Sequence, residues 1–220
     1  MNISSHIVVA PIGDRAVLLD VQRNRYSALA GSSAHAVVWA WQGCLPDRPR
    51  PSEAILAKLL DQGLLTMDGR REPVALPSAA TSSLYPSLRY DHTMVQPQGI
   101  GGTLAALQAC VRAQRVVTRG SMERLLDWLR RTQWKRRKVG DFPTAVDAYY
   151  AARPFFPVKP ICRLDAAALR LFLRRRGFAA EFVLGVRLDP FIAHSWVQVG
   201  DVTVGEAHDR IRQFTPMLAV

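Results

Sequence analysis

The sequence predicts an α+β protein of two units: a small N-terminal one in which strands precede helices, and a larger C-terminal one in which helices precede strands. Three observations carry that reading. Short β-like runs, "HIVVA", "AVLLDVQ" and "RYSAL", occupy the first 30 residues, and two helix-period runs follow them. A Pro- and Ser-rich stretch without periodicity then separates the halves, so the expected boundaries are residues 1–75, a linker at 76–99, and residues 100–220. Beyond the linker, helical patterns lead into strand patterns.

In the first unit, Arg23-Asn24 offers a turn between the second and third strand runs, which makes a β-meander. Gly31-Ser32-Ser33 is an expected N-cap for "AHAVVWAWQG", where Val37, Val38 and Trp41 fall at helical spacing and Gly43 ends the run. After the proline-rich turn "LPDRPRP", Ser52 caps "SEAILAKLLDQG", whose Ile55, Leu56, Leu59 and Leu60 form one apolar stripe before Gly63. Strands followed by two helices make a small winged-helix-like unit. In the second unit "GTLAALQACVRAQRVV", "SMERLLDWLRRTQ" and "TAVDAYYAAR" read as helices and a fourth follows at Cys162. The strands "AAEFVLGVRL", "IAHSWVQV" and "DVTVGE" come after it, the last two as a hairpin.

Composition narrows the function. With 49% hydrophobic and 21% charged residues the chain is ordinary globular protein, and no apolar run approaches the ~18 residues that span a bilayer. The start lacks a basic segment followed by an apolar one, so a secretory signal is not expected and a cytoplasmic location is. Cys44, Cys110 and Cys162 are odd in number and widely spaced, which fits neither a disulfide framework nor a CxxC metal site. His6, His35, His92 and His208 show no HExxH spacing, so neither a metal nor another cofactor is expected. Cys44 and Cys110 sit in apolar helical stretches and read as core, Trp128 and Trp134 as amphipathic-helix residues. The net charge of +11 admits an acidic partner or nucleic acid. Its densest clusters, residues 130–138 and Arg174-Arg175-Arg176, lack aromatic interleaving and read as solvated helix faces, leaving a winged-helix nucleic-acid binder as the lesser alternative.

The stretch "VKPICRLDAAALRLFLRRRG" carries the chemistry. Pro160 marks an extended approach, and a periodic face of Leu164, Ala168, Leu171 and Phe172 begins directly after Cys162 and ends at Gly177. Cys162 therefore opens a helix, where unpaired backbone N–H groups favour a thiolate and can serve an oxyanion. A base is offered by His194 on a downstream strand, which shares a face with Trp196 and Gln198. Trp196 is expected to pack beneath this site. If the hairpin loop is Val199-Gly200-Asp201, position 194 lies opposite 206 and the Glu206 carboxylate reaches the imidazole. A two-residue Gly200-Asp201 loop puts Glu206 on the other face unless a bulge corrects it; Asp209 is then the reserve acid.

The run from "PICRLDAAALRLFLRRRGFAAEFVLGV" through "PFIAHSWVQVGDVTVGE" resembles the lasso peptide biosynthesis B proteins, transglutaminase-like cysteine peptidases that remove leaders from lasso-peptide precursors. The resemblance implies a transglutaminase-like (papain-like) fold over residues 100–220, with Cys162 as nucleophile, His194 as base and Glu206 as the acid that orients it. It also implies a precursor peptide as substrate and, as partner, an ATP-dependent cyclase related to asparagine synthetase. The same triad admits acyl transfer to an amine in place of hydrolysis. The first half, "AVLLDVQRNRYSALAGSSAHAVVWAW" with "SEAILAKLLDQGLL", is similar to the winged-helix precursor-recognition elements typified by the PQQ-biosynthesis chaperone. Such elements take up a leader as an added strand, which points to Tyr26 and Leu29 on a strand and to Leu56, Leu59 and Leu60 on a helix as leader contacts.

Overall fold

The computed structural model describes residues 1–44, 49–67, 76–84, 99–132 and 140–220. Most of the proline-rich turn (45–48), the larger part of the expected linker (85–98, with His92) and the basic run at 133–138 with Trp134 lie outside the described residues. The chain divides into two compact units, Met1–Val74 with Val186–Ile192, and Ala75–Gly185 with Ala193–Val220. No helix among the described residues is long and apolar enough to cross a membrane.

The first unit begins with β1 (Asn2–Ile3), followed by β2 (Ile7–Ile12), β3 (Arg15–Asp20) and β4 (Arg25–Ala30), which form an antiparallel meander in the order β2-β3-β4. The central strand β3 buries Ala16 through Leu19 on both faces, whereas the edge strand β4 is largely exposed. Asn24 supplies the turn with φ 52, a conformation asparagine tolerates, and the Asp20 carboxylate accepts N–H bonds from Gln22 and Arg23 to brace it. Helices α1 (Gly31–Trp41) and α2 (Glu53–Asp61) follow, and β5 (Leu65–Thr66) returns to pair with β1. The serine cap expected for α1 is not used. Gly31, at φ 58, turns the chain from β4 into helix, so the cap position is Ala30 and the serines fall inside the first turn. Ser52 does occupy the cap position of α2.

Burial corrects the expectation for α2. Leu56 and Leu59 are each 1% exposed and pack with Val9, Leu18 and Val37 in one core, so neither presents a surface to a peptide. Their spacing suits core and ligand contact equally, and the meander claims them first. Leu29 and Leu60 pack against the same core but stay half-buried, and Tyr26 is half-buried on β4.

The second unit opens with β6 (Ser82–Leu84), a strand within the stretch read from sequence as linker, and continues with α3 (Gly99–Arg119), α4 (Met122–Arg131) and α5 (Phe142–Ala152). A 3-10 turn at Arg153–Phe155 precedes α6 (Cys162–Arg175). Strands β7 (Ala180–Arg187), β8 (Ile192–Val199) and β9 (Val202–Val204), the short helix α7 (His208–Ile211) and β10 (Thr215–Ala219) complete the chain. The sheet order is β10-β7-β8-β9-β6, with β6 parallel to β9. Ser121 and Asp141 cap α4 and α5 by accepting the N–H groups of Arg124 and Thr144.

Helix α6 is the axis of this unit. It packs chiefly against α3, and the buried faces of both are rich in alanine, Ala106, Ala109 and Ala113 on one and Ala166, Ala167 and Ala168 on the other, which lets two helices approach closely. Arg170, 1% exposed, donates to the carbonyls of Leu129 (3.0 Å) and Val220 (2.6 Å), tying α6 to the end of α4 and to the last residue.

Replacing Leu56 with alanine removes a fully buried side chain from the first unit, so its unfolding free energy is expected to fall by about 2–5 kcal/mol, measured by denaturant titration.

Candidate active site

Cys162 occupies the first position of α6, preceded by Ile161 in extended conformation (φ −129, ψ 122). Among the described residues no side-chain cap hydrogen bond closes this helix start, whose first N–H groups have no partner within the helix. His194 lies on β8, 4% exposed, and its Nε2 is 3.1 Å from Oε1 of Glu206, itself 6% exposed. The Cys162 side chain lies close enough to the same imidazole to raise its pKa. The structure thus gathers the three side chains singled out in the sequence.

Of the two registers open in the sequence, the structure takes the one with the shorter loop. The β8–β9 hairpin pairs Val199 with Val202 and Val197 with Val204, so the loop is the two-residue Gly200-Asp201, with Gly200 at φ 60 as a type II′ turn demands. Continued regularly, that ladder sets Glu206 on the face opposite His194. The ladder stops at Val204 instead. Gly205, at φ 71, breaks the strand and swings Glu206 back to the histidine face. A Cβ at Gly205 would stand 1.6 Å from the Tyr150 hydroxyl oxygen, so both backbone conformation and space require glycine. The Thr203 hydroxyl, 3.1 Å from the Glu206 carbonyl oxygen and 3.2 Å from that of Ser82, fixes the break to β6. The signal for this kink was the glycine directly before the acid in "VGE".

Asp209, the reserve acid, does not enter the site; it is exposed on α7 and pairs with Arg212 at 3.6 Å. One residue the sequence reading did not single out does enter. Arg210 places Nη1 3.7 Å from Oε2 of Glu206, one helical turn away, and the i, i+4 spacing was its only trace in the sequence. The two carboxylate oxygens are therefore divided, one toward His194 and one toward Arg210.

Aromatic packing fixes the imidazole plane. Phe214 lies 5.3 Å from the His194 ring and Trp196 stacks at 6.3 Å. Trp196, 2% exposed, lies across Gly185 of β7, where a Cβ would approach the indole to 2.7 Å. Its N–H donates to Gln198, whose amide donates in turn to the Ser78 and Gly200 carbonyls, both at 2.7 Å. Burial pulls the His194 pKa down, but hydrogen bonding of the protonated ring to Cys162 and Glu206, together with their negative charges, outweighs it and holds the imidazole above its ordinary value.

The other cysteines stand apart. Cys110 is fully buried against Tyr149, and burial pushes its thiol up; Cys44 contacts the Met1 carbonyl. Among the described residues no group of three His, Cys, Asp or Glu side chains gathers to hold a metal. In the first unit, Tyr26 lies with its ring 5.3 Å from Phe191.

The model of the Transglutaminase-like superfamily matches residues 104–219, more than half of the chain. The chain belongs to this superfamily. Cys162, His194, Glu206 and Arg210 all fall within the transglutaminase-like span, as do Gly185, Trp196 and Phe214. The chain is also similar to the Microcin J25-processing protein McjB of Escherichia coli, 41% identical over 49 residues, which cover 22% of this chain and 24% of that protein. The match thus spans about a quarter of that relative's length. No solved structure matches the chain.

A raised His194 pKa means that proton binding to this residue stabilises the fold at pH values below about 6.5, and that this increment is lost as pH rises through the folded-state pKa. Glu206→Gln removes the carboxylate charge that helps to raise it. The His194 pKa of that variant, followed by NMR titration of the imidazole, is expected to move down, and the acid-side stability increment to shrink with it.

Proposed function

We propose that this transglutaminase-like protein is a cysteine peptidase that removes the leader from a ribosomally made, lasso-type precursor peptide. The observation that carries the reading is the grouping of a half-exposed Cys162 at the N-terminus of α6 with the buried pair His194 and Glu206. The limited similarity to a microcin-processing protein supports the substrate class.

In the proposed reaction the Cys162 thiolate attacks the scissile carbonyl carbon while His194 holds the thiol proton. The N–H groups at the start of α6 stabilise the oxyanion. His194 then protonates the departing amine, which carries off the core peptide, and the leader remains as a thioester on Cys162. Water, deprotonated by His194, attacks that thioester, and the S–C bond breaks to regenerate the thiol. Glu206 accepts the Nε2–H bond throughout, fixing the tautomer and stabilising the imidazolium. Arg210, at the other oxygen of Glu206, positions that carboxylate without touching the substrate.

The first unit is proposed as the leader-binding element, a winged-helix-like module. Strand β4 is the edge of its meander, and a leader adding alongside it would be held by main-chain hydrogen bonds, with Tyr26, Leu29 and Leu60 contacting its side chains. Carrying binding and cutting on one chain raises the effective concentration of substrate at Cys162. The freed core amine is then the nucleophile an asparagine-synthetase-like, ATP-using cyclase requires, which makes such a cyclase the proposed partner in the cytoplasm.

The test is mass spectrometry of the cognate precursor incubated with the protein. A free core peptide and a free leader acid are expected; an amide-linked leader product would reassign the protein to acyl transfer, and retention on DNA without peptide turnover would reassign it to nucleic-acid binding. Cys162→Ala and His194→Ala are expected to lower cleavage at least about a thousandfold, and Glu206→Gln roughly a hundredfold or more. Gly205→Ala, which moves the acid without removing it, is expected to lower kcat by roughly ten- to a hundredfold. Full cleavage by Cys162→Ala would end the proposal.

A further inference from the structure

We propose that the cavity beside the start of α6 is a specificity subsite that receives an apolar side chain, of leucine to phenylalanine size, from a peptide residue flanking the scissile bond. This rests on the peptidase reading above and adds to it the class of residue the site selects.

The cavity is about 200 Å³, room for one large side chain. Its position ties it to the relay. Pro160, two residues ahead of Cys162, and Asp165, on the first turn of α6, both line it. Tyr150 forms another wall, and this is the same ring that closes over Gly205 beside Glu206. In the proposed arrangement a peptide whose carbonyl sits over Cys162 places a flanking side chain in this cavity.

The lining decides the chemistry. Tyr150, Phe156, Val158 and Pro160 offer carbon surface. The cavity also holds one full positive and one full negative charge, Arg153 and Asp165, and either could have selected a charged substrate. Both are already consumed. Arg153 Nε donates to Asp165 Oδ1 at 2.7 Å, Nη1 to the Phe156 carbonyl at 3.3 Å and Nη2 to the Val158 carbonyl at 3.0 Å, and the guanidinium lies 5.5 Å from the Phe156 ring. The pair is largely buried, with Arg153 7% exposed, so recruiting either member to a ligand means breaking a buried ion pair. What it does instead is pin residues 156–158, the outer wall of the cavity, to the helix that carries the nucleophile. A neutral, apolar-walled cavity of fixed shape selects by buried carbon area, and discrimination between a fitting side chain and glycine is then roughly tenfold or more.

The test uses epoxysuccinyl peptides, which span both sides of a thiolate site, carrying Gly, Leu, Phe, Asp or Lys on one side or the other. The Cys162 thiolate forms an S–C bond as the epoxide C–O bond opens and its oxygen takes a proton, and intact-mass spectrometry of the full chain gives the rate. Leu or Phe probes are expected to react at least about tenfold faster than the Gly, Asp and Lys probes. Val158→Trp, whose backbone carbonyl still accepts from Arg153, fills the cavity and is expected to bring the Leu-to-Gly rate ratio toward one. Val158→Ala, which enlarges it, is expected to shift preference from Leu toward Phe, and thermal melts establish that each variant folds. Alkylation of Cys162 without side-chain preference, or a preference retained in Val158→Trp, overturns the subsite and leaves the peptidase reading standing. Alkylation of Cys162 no faster than that of Cys44 overturns both.

Discussion

The site depends on one contact, the hydrogen bond between His194 and Glu206, and that contact depends on a backbone break at Gly205. A two-residue hairpin is the tightest way to reverse β8 into β9, and its register places alternate residues of the return strand on fixed faces. Under that register the acid belongs on the wrong side. A glycine at positive φ restores it over a single residue, and Tyr150 and Thr203 then lock the restored position from two directions. The carboxylate is thereby held off the regular ladder, where a small rotation of the backbone would withdraw it from the imidazole altogether.

The nucleophile is held by a separate set of constraints that converge on α6. Its far end is tied down by Arg170 through the carbonyls of Leu129 and Val220, its side is packed on α3 through alanines, and its first turn is braced by the Arg153–Asp165 pair and by the Tyr149 hydroxyl, which donates to the Asp165 carbonyl. Rigid support on three sides matters because a reacting sulfur misplaced by about 1 Å loses on the order of a hundredfold in rate. Cys162 itself remains half-exposed at the helix mouth. A nucleophile must be reachable as well as fixed, and the first position of a long buried helix meets both demands.

Residues whose roles follow from local periodicity were legible in the sequence. The meander, the helices from α2 through α6, the placement of Cys162 at a helix start and the β8–β9 hairpin all follow from apolar spacing and turn residues. What periodicity cannot separate is a stripe that faces core from one that faces a partner, which is why Leu56 and Leu59 were read as candidate contacts and prove to be core. Nor does it report what depends on tertiary closure. Strand β6 has three residues and exists by pairing with β9; β10 begins with Thr-Pro and is held by reciprocal hydrogen bonds between Phe182 and Val220. The loop length stayed open in the sequence for a related reason: Val199-Gly200-Asp201 and Gly200-Asp201 are both acceptable hairpin turns, and the choice between them is made by the pairing of Val197 with Val204. Gly205 then brings Glu206 back to the histidine face, the correction that the two-residue loop requires.

The electrostatics of the relay follow from who surrounds the imidazole. Phe214 and Trp196 strip it of water, and taken alone that environment favours the neutral ring. Cys162 and Glu206 reverse the balance, so the ring binds its proton more tightly than an ordinary histidine does. A ring tuned this way is a stronger base for taking a proton from a thiol and a weaker acid for giving one to a departing amine. The first task is eased further by the helix start, whose N–H groups favour the thiolate the proton leaves behind. Arg210 holds the other oxygen of Glu206, with Nη1 3.7 Å from Oε2. The carboxylate is divided between an imidazole and a half-exposed guanidinium, and the kink at Gly205 is what lets one side chain face both.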